Sequence, residues 1–120
     1  MDRAATQPVI DNALLRFATR LREDIGATKV FLFGSRATGR AREDSDYDLI
    51  IVADYFKDIE TTHRAMGLRK FWRAEGGRGP MDLFCLTPDE FAVAQQRITL
   101  IASVLPESID LLASLKQPIA

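Results

Sequence analysis

The sequence predicts an α/β (α+β) fold: a small mixed β-sheet of three to five strands, with helices packed mainly on one face, in a single domain over residues 1–120. Three observations carry this prediction. Leu14, Phe17, Leu21 and Ile25 recur at the spacing of one helical face. Three short apolar runs, Val30–Phe33, Asp46–Val52 and Pro80–Leu86, have the length and the β-branched or aromatic content of strands. Turn and cap signals lie between these segments, at Gly26, Gly34, Gly39, Gly76-Gly77-Arg78-Gly79-Pro80 and Thr87-Pro88-Asp89-Glu90.

Taken in order, Asp11 is placed to cap a helix running to Ile25, with Gly26 as its stop. Val30-Phe31-Leu32-Phe33 is an apolar run that reads as a buried strand, and Gly34 ends it. Glycine has no Cβ, so the chain can turn sharply there and a ligand can approach the backbone. Ser35 then opens a short helix that Gly39 closes. A helix start leaves N–H groups without partners and suits a phosphate, to which the Ser35 hydroxyl and the Arg36 charge would add. Arg40 to Ser45 reads as a polar surface loop, in which Arg40 and Arg42 are candidate contacts to a nucleotide or a partner.

The next strand, Asp46 to Val52, alternates. Asp46, Asp48, Ile50 and Val52 share one face, and Tyr47, Leu49 and Ile51 share the other. The Cα atoms of Asp46 and Asp48 then lie roughly 6–7 Å apart, close enough for both carboxylates to reach one cation. Magnesium prefers oxygen ligands and keeps waters and substrate phosphates in its shell. An EF-hand calcium loop is excluded, because Glu43-Asp44-Ser45-Asp46-Tyr47-Asp48-Leu49 lacks the further oxygen ligands and the terminal Glu.

Residues 58–75 are expected to form a second helix that presents Ala65, Leu68 and Trp72 on one side. The glycine-rich connector leads into the third strand, in which Asp82, Phe84 and Leu86 share a face. If that strand lies beside Asp46–Val52, Asp82 points at the same spot as Asp46 and Asp48. Three carboxylates can support two metals, and Asp82 is then the best-placed general base. Thr87 to Glu90 starts a helix, with Pro88 in its first turn beside two acids. One or two short helices reach Val104, Pro106 breaks them, and Ser108–Ala113 reads equally as a strand or a helical turn. His63, Trp72 and Tyr47 are assigned structural positions, as is Cys85, the sole cysteine.

With these residues in view, the stretch GSRATGRAREDSDYDL followed by MDLFCL resembles the minimal nucleotidyltransferases of the DNA polymerase β superfamily. It is most similar to the MntA-type antitoxins, whose signature is Gly-Ser, ten residues, Asp-x-Asp. The resemblance covers roughly residues 29–90 and implies the nucleotidyltransferase fold. It implies nucleotide binding at Gly34, Ser35 and Arg36, with Asp46, Asp48 and Asp82 as catalytic and metal-holding residues. It further implies Mg2+ as cofactor, ATP as substrate, and transfer of AMP to a hydroxyl. For MntA-type members the acceptor is a tyrosine of a partner HEPN toxin, which the modification silences, so a hetero-oligomer with such a toxin is expected. A nucleotidyltransferase-fold antitoxin that has lost activity and neutralises its partner by binding alone is the alternative.

The remaining properties narrow the classes. The apolar fraction of 47% is that of an ordinary globular chain. A net charge of −1 does not call for nucleic acid as a direct substrate. No apolar run approaches the ~18 residues of a membrane span, and no signal-peptide core is present, so a cytoplasmic location is expected.

Overall fold

The computed structural model describes residues 11–40, 46–97 and 99–115. The expectations placed on Arg42, Asp44 and Ser45 therefore lie outside the described residues. Helix α1 (Asn12–Ile25) buries Leu14, Phe17, Ala18, Leu21 and Ile25 and ends at Gly26 in the left-handed conformation, as the spacing and the stop signal predict. Strand β1 (Lys29–Phe33) leads through Gly34 into α2 (Ser35–Thr38), a single turn closed by Gly39. Strand β2 (Tyr47–Val52), helix α3 (Leu68–Ala74), strand β3 (Met81–Leu86) and helix α4 (Pro88–Gln95) follow. Then come α5 (Leu100–Val104), the two-residue strand β4 (Ile109–Asp110) and α6 (Leu111–Leu115).

The described strands form one mixed sheet in the order β3-β2-β1-β4. β1 pairs antiparallel with β2 and with β4, while β2 pairs parallel with β3. This mixture positions the site. The C-terminal end of β1 lies beside the start of β2, and the start of β2 beside the start of β3, so Phe33 pairs with Asp48, and Asp48 with Asp82.

Strand alternation separates two cores. Val30, Leu32, Tyr47, Leu49, Ile51 and Met81 face the larger one, which is completed by α1, α3 and α6. Phe33, Ile50, Val52, Phe84 and Leu86 face a smaller cluster under Phe91 of α4 and Ile101 of α5. Most helical packing is thus on one face. The start of β3 on the second face is uncovered, and Asp82 is exposed there.

Trp72 packs edge-on to Phe17 and tilted on Tyr47. Gly77 lies so close that a Cβ there would fall 2.0 Å from the Trp72 indole, so this part of the connector has no room for a side chain.

The helix expected over residues 58–75 is not continuous. Residues 54–58 and 61–63 form 3-10 turns, and α3 begins only at Leu68. Thr61, Thr62 and Gly67 are weak helix formers, and Arg64 adds a tertiary pull. Its guanidinium, 6% exposed, donates to the carbonyls of Ile59 and Cys85 and forks onto Glu90 at 2.6 and 3.2 Å. Leu68 and Trp72 nevertheless face the core as expected.

Arg69 donates to the Met81 carbonyl, so with the Arg64–Cys85 contact two guanidinium groups reach the outer side of β3. Thr87 and Glu90 form a full capping box at the start of α4. Ser108–Ala113 contains both structures between which the sequence did not choose: two strand residues, then the first turn of α6, where Asp110 accepts from the Ala113 N–H.

Candidate active site

Gly34 is the corner on which the site is built. Its backbone sits at φ 78° and ψ −158°, a region essentially reserved for glycine. A Cβ there would lie 2.6 Å from Oδ2 of Asp48, so the missing side chain is the space the Asp48 carboxylate occupies. The contact follows from register, because Asp48 pairs with Phe33, the residue just before the corner.

Asp82 is the parallel partner of Asp48 on the neighbouring strand, on the same face. Burial pushes the Asp48 carboxyl above the ordinary aspartate range. The charge of Asp82, the charge of Asp46 and a hydrogen bond shared with Asp82 push it in the same direction. Asp46 is exposed, immediately before β2. Asp82 at the start of β3 and Asp46 just before β2 thus both bear on the Asp48 carboxyl.

Such a group suits a small divalent cation. Its donors are hard carboxylate oxygens, and a bound cation would relieve the like-charge repulsion that raises Asp48. Among the described residues no group of three or more His, Cys, Asp or Glu is placed to hold a metal ion. What the side chains offer is the Asp48–Asp82 pair with the charge of Asp46 bearing on it, hard oxygen donors of the kind that suit a cation drawing its remaining ligands from water and phosphate oxygens, as Mg2+ does.

Ser35 opens α2 as predicted, but α2 is four residues long. One turn sums few peptide dipoles, so any attraction for phosphate there comes from individual N–H groups rather than a macrodipole. Arg36 follows Ser35 on this turn. Its guanidinium lies over the Tyr47 ring, 3.9 Å from the centroid, and Tyr47 faces the larger core rather than the acids. Tyr47 in turn donates its hydroxyl to Asp11, and burial, followed by that contact, pushes its pKa up to about 12. Asp11 thus precedes α1 as expected, but its side chain makes no cap hydrogen bond and serves Tyr47 instead.

A cleft of about 320 Å³ opens from this corner. Gly34, Ser35, Thr38 and Arg40 form one wall. Ser103, Val104 and Glu107, from α5 and the turn after it, form the other. Sequence reasoning did not find Ser103 or Glu107, because they belong to no motif and reach the cleft only through the fold. A larger cleft, about 520 Å³, lies over the outer side of α1. There Arg20 pairs with Asp24 and Glu75 at 3.1 and 3.2 Å, so the charges already satisfy one another, and none of the three motif acids lines it. His63 is exposed near Glu60, a structural position as expected, and Tyr55 packs edge-on against Phe56.

Comparison with known proteins bears on the family and the fold. A family model described as a nucleotidyltransferase domain matches residues 14–116. No curated protein matches the sequence. Among solved structures, BolA1 from Arabidopsis thaliana is similar with a TM-score of 0.53 at 18% identity, covering 68% of this chain and 98% of its own. The BolA domain of SufE1 from Arabidopsis thaliana is similar with a TM-score of 0.53 at 16% identity, covering 68% of this chain and 99% of its own. A candidate nucleotidyltransferase from Sulfolobus solfataricus has a TM-score of 0.48 at 22% identity, covering 80% of this chain and 77% of its own. At these identities the two BolA likenesses concern the fold alone.

Proposed function

This chain belongs to the nucleotidyltransferase domain family, and from that footing we propose that it transfers AMP from ATP to a protein hydroxyl, a tyrosine of a HEPN-type toxin partner, and so acts as an antitoxin. The observation that carries the catalytic part is the meeting of Asp48, Asp82 and Asp46 at a corner where Gly34 leaves no room for a Cβ. Clustered like charges cost stability without a cation, so their presence is accounted for by a ligand that neutralises them. The choice of acceptor rests on the resemblance to MntA-type antitoxins.

In the proposed reaction Gly34 and Ser35 would hold the triphosphate at the corner, and Asp46, Asp48 and Asp82 are the residues that would hold Mg2+. When bound, Mg2+ supplies positive charge that offsets the charge of the phosphates. The acceptor oxygen attacks the α-phosphorus, the bond from that phosphorus to the bridging β-phosphate oxygen breaks, and pyrophosphate leaves. Asp82, exposed and beside Asp48, takes the proton from the acceptor hydroxyl. Arg36 contributes by packing on Tyr47 and steadying the start of β2.

Radiolabelled ATP with Mg2+ and the protein encoded beside this one tests the proposal. Label on the partner that is lost in Asp46→Ala and Asp48→Ala supports transfer. A tight complex without label supports the second reading, a binding-only antitoxin.

A further inference from the structure

The cleft that begins at Gly34 and Ser35 has a second wall to which the motif assigns no role. Ser103 lies on α5 and Glu107 in the turn that follows, and both line the same cavity of about 320 Å³. A cavity of that volume is at the small end of small-molecule sites, so it suits one part of a nucleotide.

The chemistry of the second wall is one-sided. Ser103 spends its hydroxyl proton on the Leu100 carbonyl at 2.8 Å and so presents lone pairs to the cleft. Glu107, when ionised, can only accept. A wall of acceptors that includes a carboxylate repels phosphate oxygens and attracts neutral groups rich in O–H or N–H donors. In a nucleoside triphosphate the first such group next to the phosphates is the ribose, with its 2′- and 3′-hydroxyls. Dinucleotide-binding folds use the same solution, an acidic side chain accepting from a ribose hydroxyl.

We propose that Glu107 and Ser103 form the ribose subsite, so that this chain distinguishes ribonucleotides from deoxyribonucleotides through α5 and the following turn. The inference rests on the reading of the Gly34–Ser35 corner as the phosphate end. Both side chains are exposed, so replacing them leaves the cores intact.

The test is equilibrium binding of ATP, 2′-deoxy-ATP, 3′-deoxy-ATP and GTP to the full chain with Mg2+, which needs no acceptor protein. The wild type should bind ATP about tenfold more tightly than at least one deoxy analogue, as expected for one hydrogen bond to a charged group. Glu107→Ala should bring the two affinities together by weakening ATP while leaving the deoxy analogue unchanged, and Ser103→Ala should act in the same direction by less. Unchanged far-UV circular dichroism in the variants excludes misfolding as the cause. If the wild type binds ATP but the ratio stays fixed in both variants, the inference is wrong while the proposed function stands. If the variants alter the preference for ATP over GTP instead, the wall reads the base, and the ribose assignment is overturned. Failure of the wild type to bind any nucleotide overturns both.

Discussion

Replacing Gly34 with alanine perturbs the site at its corner, and the structure separates the expected cost into two parts. The first is conformational. At φ 78° and ψ −158° an alanine backbone is strained by about 1–3 kcal/mol. The second is steric, since the new methyl would stand 2.6 Å from Asp48 Oδ2 and must push that carboxylate aside. For a chain of this size each kcal/mol lowers Tm by about 3–5 °C, so strain alone should lower it by about 3–15 °C. Thermal unfolding with and without Mg2+ and ATP, run as a double-mutant cycle with Asp48→Ala, divides the two contributions. Truncating Asp48 removes the clash but leaves the strain, so Gly34→Ala should cost less in that background, by about 0.5–3 kcal/mol. ATP binding should fall sharply in Gly34→Ala and further in Gly34→Val. Equal stability of wild type and Gly34→Ala, or additive effects across the cycle, would refute the close approach of Gly34 and Asp48.

Other outcomes test separate parts of the molecule. Asp82→Asn should reduce AMP transfer far more than ATP binding, because it removes the proton acceptor while keeping the shape; equal loss of both would assign Asp82 to cation holding alone. Asp48 has its pKa raised in the folded state, so the native protein holds that proton to higher pH than the unfolded chain does. In chelator, stability should therefore decline as pH rises from the ordinary aspartate range through the raised value, and Asp48→Asn should flatten that decline in a pH series of urea melts. Arg64 and its hydrogen bonds to the Glu90 carboxylate pull the Glu90 pKa down, so their contribution is present above the ordinary glutamate range and lost as pH falls through the lowered value. Arg64→Ala should cost about 2–4 kcal/mol in chemical denaturation, since it strands two backbone carbonyls and a carboxylate that keeps some access to water. Burial pushes the Cys85 thiol up to about 12, so the folded protein should resist iodoacetamide at pH 8 while the urea-unfolded chain reacts.

Much of this architecture was legible in the sequence because local rules and tertiary demands agree there. The stripe of α1, the Gly34 corner, the capping box at Thr87 and the two-faced pattern of β2 each depend on spacing or on a residue type with one strong preference. The shared face of Asp48 and Asp82 followed from alternation once the strands were taken as neighbours, and the parallel register supplies that neighbourhood. Residues 58–67 were misread because periodicity cannot foresee a buried arginine that binds carbonyls near and far. The contact of Arg36 with the Tyr47 ring likewise escapes spacing rules, since it depends on where β2 carries that ring. Ser103 and Glu107 left no trace in the sequence, since a cleft wall formed by a distant segment has no spacing rule.

The outer rim of β3 is closed by the protein itself. The carbonyls of Pro80 and Leu86 turn inward to accept from Tyr47 and Ala53, so those of Met81 and Cys85 turn outward, where Arg69 and Arg64 donate to them. An incoming strand would have to dislodge two cations, one of them anchored on Glu90, before it could zip onto this border. Crowded copies of the chain are thereby kept from knitting their sheets into fibres along that side.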